Sequence, residues 1–99
     1  MSEYRQVVIE TYRNAGEPTS ARIRARPIPG QGLSTDMKVE CSREMREKYP
    51  VGTKILIDAK ITDREGGTPF LYAHYAATYE VISDSAAKGF IRERYGNAT

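Results

Sequence analysis

The chain has 99 residues, 39% of them hydrophobic and 28% charged, with a mean hydropathy of -0.58 and a formal net charge of +2. That length suits one domain, 1–99, with a single modest core, and its apolar runs are too short for a membrane-spanning helix. One cysteine and one histidine exclude an intrachain disulfide and a Cys/His zinc cluster. The opening MSEYRQ has neither signal-peptide nor transit-peptide character; with the lone cysteine it points to a cytoplasmic protein without a membrane partner. A pI near 8.8 is mild beside that of dedicated DNA-binding domains, so charge alone does not decide for nucleic acid.

YRQVVIETYR at 4–13 alternates Val7, Ile9 and Thr11 with Gln6, Val8, Glu10 and Tyr12, the period-2 signature of a strand. Residues 14–19 are dense in turn formers. SARIRARPI at 20–28 alternates again, placing Ala21, Ile23 and Ala25 on one face and Arg22, Arg24 and Arg26 on the other. Pro27 and Pro29 cannot donate to a ladder, so this strand ends there or runs along an edge. PGQG at 29–32 is a loop. MKVEC at 37–41 reads as a short strand, and SREMREKY at 42–49 as a helix with Ser42 as N-cap and Glu44 in its first turn.

KILIDAKIT at 54–62 is the clearest strand, and 63–69 reads as a hairpin loop in which Gly66 and Gly67 can take positive φ. FLYAHYAATYEVIS at 70–83 is long for a strand. Leu71, Ala73, Tyr75, Ala77, Tyr79 and Val81 share one face, and Phe70, Tyr72 and His74 the other; Ala76 and Ala77 suggest a sharp bend or bulge. DSAAKGFIRERYG at 84–96 suits a terminal helix over about 84–95, with Ala87, Phe90, Ile91 and Tyr95 as its apolar stripe, Ser83 or Asp84 as N-cap and Gly96 as the stop.

The fold class is therefore mainly β, a β-barrel or α+β: a five-stranded small barrel over about 4–82 with one short internal helix and a C-terminal helix. The order of elements matches an OB-fold; an SH3-like barrel or a sheet with a helix on one face fits the same order. The terminal helix is expected to cap the open end of the barrel, with Lys88, Arg92 and Arg94 outward.

Three groups of residues bear on function. Arg22, Arg24 and Arg26 would stand about 7 Å apart along one face, close to the phosphate repeat of an extended single strand. Against this, alternation simply needs a polar outer face, and Glu3, Glu10 or Glu17 can pair with these arginines across the hairpin. Phe70, Tyr72 and His74 would form a stacking platform for unpaired bases; the alternative is a small barrel filled with tyrosine and alanine, with Tyr75 and Tyr79 in the core as amphipathic aromatics.

A catalytic reading needs His74 as a base and Cys41, at a helix start, as a low-pKa nucleophile; nothing in the sequence brings them together. PGQGLS at 29–34 lacks the lysine of a P-loop, and no residue set asks for a metal or cofactor. The expectation is a non-catalytic binding module for single-stranded nucleic acid, using Arg22, Arg24, Arg26, Phe70, Tyr72 and His74. The alternatives are a homodimeric interaction or assembly domain, paired through the aromatic strand or the C-terminal helix, and a small-molecule barrel with a tyrosine-lined pocket.

Overall fold

A computed structural model describes residues 4–13, 23–63 and 66–96. Its elements are β1 (Arg5–Arg13), β2 (Ile23–Pro27), β3 (Val39–Glu40), α1 (Arg43–Lys48), β4 (Lys54–Thr62), β5 (Phe70–Tyr72), β6 (Tyr79–Ile82) and α2 (Asp84–Tyr95). The sheet runs β2-β1-β4-β5-β3, with β6 also on β4. β1 pairs antiparallel with β2 from Ile9 to Arg13 and with β4 from Arg5 to Glu10. β5 and β6 take successive halves of one edge of β4, and β3 lies parallel to β5. The two ends of this order, β2 and β3, return beside each other. The result is a nearly closed, barrel-shaped sheet of five strands with one short internal helix and one C-terminal helix, as the sequence pattern predicts.

Inside lie Val7, Ile9, Ala25, Ile55, Ile57, Ala59, Leu71 and Met45 of α1. These are the alternating apolar positions of β1, β2, β4 and β5, so the period-2 pattern determines the inner face. α1 is short, and its start is secured by Ser42, whose Oγ accepts the Met45 N–H at 3.2 Å.

The terminal helix differs from expectation. Instead of capping the barrel end, α2 lies on the outer face of the sheet, where Ala87, Phe90 and Ile91 pack with Val8, Ile28, Leu56 and Ile82. The reason is visible in β1 and β4: Val8 and Leu56 are apolar on the outer side and need a cover. Ser83 caps α2 by accepting the Ala86 N–H at 3.0 Å, and Gly96 ends it at φ +75°. The 28–32 loop passes beneath the helix, and Gly30, at φ +96°, sits where a Cβ would come within 2.9 Å of Ile91 Cγ2.

That loop also carries Gln31, whose side chain is buried. Its Oε1 accepts the Val8 N–H at 2.8 Å, and its Nε2 donates to Val8 O at 2.8 Å and Ile28 O at 3.0 Å. Val8 O also accepts the Ile28 N–H at 3.2 Å, so the side-chain amide completes the pairing of Val8 just beyond the end of the β1–β2 ladder. Among the described residues no helix is long and apolar enough to cross a membrane.

The long aromatic strand is two strands. Lys60 pairs with Tyr72 and Ile57 with Tyr79, so residues 73–78 stand opposite only Asp58 and Ala59. The excess chain leaves the sheet as a turn in which the Ala77 N–H donates to His74 O at 2.8 Å. Four extra residues is an even number, so the alternation resumes in phase: Tyr79 and Val81 again face the side of Leu71. Tyr75 does not; it is 79% exposed, which corrects its expected place among the core residues.

Candidate nucleic-acid interface

Ala25 and Pro27 are buried, so Arg24 and Arg26 point outward from β2, as alternation requires. Arg22 lies outside the described residues. On β5, Leu71 is buried and Phe70 and Tyr72 stand on the outer side, half-buried. β3 lies between these strands. Its Val39 packs inward against the core, so Lys38 and Glu40 turn outward.

Two grooves follow from this arrangement. One, of about 780 Å³, runs between β2 and the 35–41 segment and is lined by Arg24, Arg26, Lys38 and Tyr12. The other, of about 400 Å³, lies on the far side of the same segment, beside Phe70 and Pro69. Lys38 and Glu40 line both grooves. The fold therefore brings the arginines of β2 and the aromatics of β5 to opposite flanks of one short strand, some 45 residues apart in sequence.

His74 does not join them. It sits in the 73–78 turn, where its Nδ1 accepts the Ala76 N–H at 3.1 Å and its ring lies 4.5 Å from that of Tyr75. Both rings border a separate cleft of about 570 Å³ between this turn and α1, which Tyr79 also lines. This cleft opens beside the helix, outside the strand-enclosed core, and is not the pocket inside the barrel that the small-molecule alternative requires.

The electrostatics tie Arg26 to its neighbours. Arg26 Nε donates to Glu10 Oε1 at 3.0 Å, and its guanidinium lies 4.7 Å from the centre of the Tyr12 ring. Glu10 also binds Lys54 at 3.1 Å, and Lys54 reaches Asp84 of α2 at 3.3 Å. Burial pushes the Glu10 carboxyl up, but Lys54 and Arg26 together outweigh it and hold the carboxyl below its ordinary value. Glu10 is therefore the cross-strand partner the sequence pattern allowed, directly opposite Arg26. Glu3 and Glu17 fall outside the described residues.

Arg46 of α1 has a role that sequence reading missed. Its Nε donates to Ile23 O at 3.0 Å and its Nη1 to Cys41 O at 2.8 Å. One guanidinium thus spans the open seam between β2 and β3, floored by the groove. Nothing in a helical arginine signals such a contact. Lys38 was also missed, although its alternation with inward Met37 and Val39 was a signal for it.

The catalytic pairing finds no support in this geometry. Cys41 borders the β2–β3 groove and His74 the cleft beside α1. Burial pushes the Cys41 thiol up despite Arg46 nearby, the reverse of an activated nucleophile. Among the described residues no group of three or more His, Cys, Asp or Glu stands together to hold a metal. Comparison of the chain with protein-family models, curated proteins and solved structures found no match.

Proposed function

We propose that this protein is a non-catalytic binding module of OB-like architecture that takes single-stranded nucleic acid across the outer face of β2, β3 and β5. The observation that carries the reading is the placement of Arg24, Arg26 and Lys38 on one flank of this face and Phe70 and Tyr72 on the other. Cations two residues apart on a strand follow a phosphate backbone, and the aromatics offer faces for unpaired bases. A partly open five-stranded barrel with a helix after its third strand binds oligonucleotides on the face of its second and third strands. Here β2 and β3 form the two ends of the strand order and lie beside each other without a ladder among the described residues.

The test is fluorescence anisotropy of a labelled oligothymidylate of about 12 nucleotides, at low and moderate salt. Affinity should fall steeply with salt and be lost in Arg24→Ala/Arg26→Ala. Phe70→Ala and Tyr72→Ala should each weaken binding by about 1–3 kcal/mol if a base stacks there. No binding at low salt, or binding indifferent to the arginines, returns the stripe to a solvated face whose Arg26 is held by Glu10.

A second reading, self-association, is favoured by one observation. Among the described residues β6 pairs only with β4, and its Val81 is 41% exposed. The stripe of α2 supports it less, because Ala87, Phe90 and Ile91 are already packed on the chain's own sheet. Light scattering that gives a dimer mass in the wild type and a monomer in Val81→Lys would select this reading.

A further inference from the structure

The cleft between α1 and the 73–78 turn shares no lining residue with the face assigned above, and it contains the aromatic that face leaves out. Its floor is apolar, made of Met45 and Ile57, both 3% exposed. Its walls are Tyr79, on the barrel side, and Tyr75, on the turn. Tyr75 keeps a large ring in water, yet the ring is not loose: His74 lies against it at 4.5 Å. The histidine is itself held by the Ala76 N–H, and the turn is closed by the bond from Ala77 to His74. An aromatic surface fixed before any ligand arrives loses little freedom on binding.

The charge of the cleft is negative. Glu44 and Glu47 of α1 line it against one cation, Lys48. Glu47 is already joined to Arg43 at 2.9 Å, while among the described residues no cation pairs with Glu44. Lys48 Nζ lies 5.7 Å from the centre of the Tyr49 ring, and Tyr49 meets Tyr79 edge-on with hydroxyls 3.3 Å apart. The Tyr49 hydrogen bond, then burial and, least, the Glu44 carboxylate hold the Tyr79 phenol above its ordinary value, so that hydroxyl stays neutral and able to donate or accept.

We propose that this cleft binds a flat organic cation, a guanidinium or amidinium, with its charge at Glu44 and its plane against Tyr75. Arginine-like groups combine a planar fork that suits a carboxylate with a weakly hydrated face that suits an aromatic ring. An anion would meet two carboxylates, and a neutral ring would leave Glu44 unused. The same chemistry reaches the cleft on a free small molecule or on an arginine side chain of a partner.

The experiment is an NMR titration of the full chain with benzamidinium, with neutral benzamide of the same shape alongside. Benzamidinium should shift the amides of residues 44–48 and 74–79 and bind about two- to fivefold more tightly than benzamide, the effect of one exposed cation–π contact or ion pair. Glu44→Gln and Tyr75→Ala should each weaken it several-fold; both residues are exposed, so both variants retain the wild-type circular dichroism. Equal binding of the two probes, shifts confined to other residues, or indifference to either substitution overturns the proposal. N-acetylargininamide is the third probe: affinity matching benzamidinium supports a peptide-borne arginine, and clearly weaker binding supports a free cation. Failure here leaves the oligonucleotide result untouched, since the two surfaces have no residue in common.

Discussion

Two seams of this barrel are built in different ways. Between β1 and β4 the ladder is continuous from Arg5–Ala59 to Glu10–Lys54. Its centre is buried on both faces, with Val7, Ile9, Ile55 and Ile57 inside and Val8 beneath α2. Between β2 and β3 the described residues form no ladder, and Arg46 joins the two edges through two carbonyls. The first seam depends on apolar burial, which pH and salt barely touch. The second depends on a few polar contacts, and segments held in that way open at low cost. The candidate interface lies along the second seam.

Substitutions can break this contrast at either end. The largest effect should come from Ile9→Ala, which empties the centre of the first seam and should cost about 2–5 kcal/mol. Domains of this size have only about 5–15 kcal/mol in total. Urea denaturation measures it, and a loss under about 1 kcal/mol would show that the β1–β4 seam is not the centre of stability.

Gln31→Leu comes next. Leucine nearly conserves volume but leaves Val8 N–H buried without its partner and removes the amide donor from Val8 O and Ile28 O, for a loss of about 3 kcal/mol. The same denaturation series reads it; a neutral result would mean that water replaces the amide.

Arg46→Met should cost less globally, about 1–2 kcal/mol, with a local signature. Amide exchange in β2 and β3 should accelerate while β1 and β4 keep their protection. Uniform acceleration would mean that the two seams open together and the contrast is false.

The smallest effect is Glu10→Gln, about 1 kcal/mol at neutral pH. The Glu10 carboxyl is held below its ordinary value of 4.5. Its contribution is therefore full above pH 4.5 and disappears as pH falls through the lower folded value. Lys54 is the mirror case: burial pushes its ammonium down, Glu10 and Asp84 outweigh this and raise it above 10.5, and its share is lost as pH rises through that higher value. The variant should be flatter in acid than the wild type. It should also bind an oligonucleotide more tightly, because Arg26 is released; tighter binding supports the phosphate track, and unchanged binding argues that Arg26 is only a structural partner of Glu10.

What was legible in the sequence is what neighbouring residues decide among themselves. Alternation in 54–62 requires a strand with Ile55, Ile57 and Ala59 on one side, and those residues are buried. Ser42, Ser83 and Gly96 cap helices through bonds spanning three or four residues. The aromatic run was harder to read. Its period-2 pattern continues through 73–78 although the backbone there leaves the sheet, because nothing within the run records that β4 offers only Asp58 and Ala59 opposite. The interface was half legible: outward Arg24 and Arg26 follow from parity, but which face of the aromatic run is buried, the meeting of the two groups across β3 and the departure of His74 do not.

By itself the sequence determined the kind and order of the elements up to the aromatic run, their caps and which face of β2 and β4 is apolar, since these depend on side chains a few bonds apart. Only the tertiary structure decided that α2 covers Val8, that Gln31 completes the pairing of Val8, that Glu10 holds Arg26 and that Arg46 joins β2 to β3. Each of these satisfies a backbone group, a charge or an apolar surface brought close by folding from more than 15 residues away, and a linear pattern carries no record of such distances.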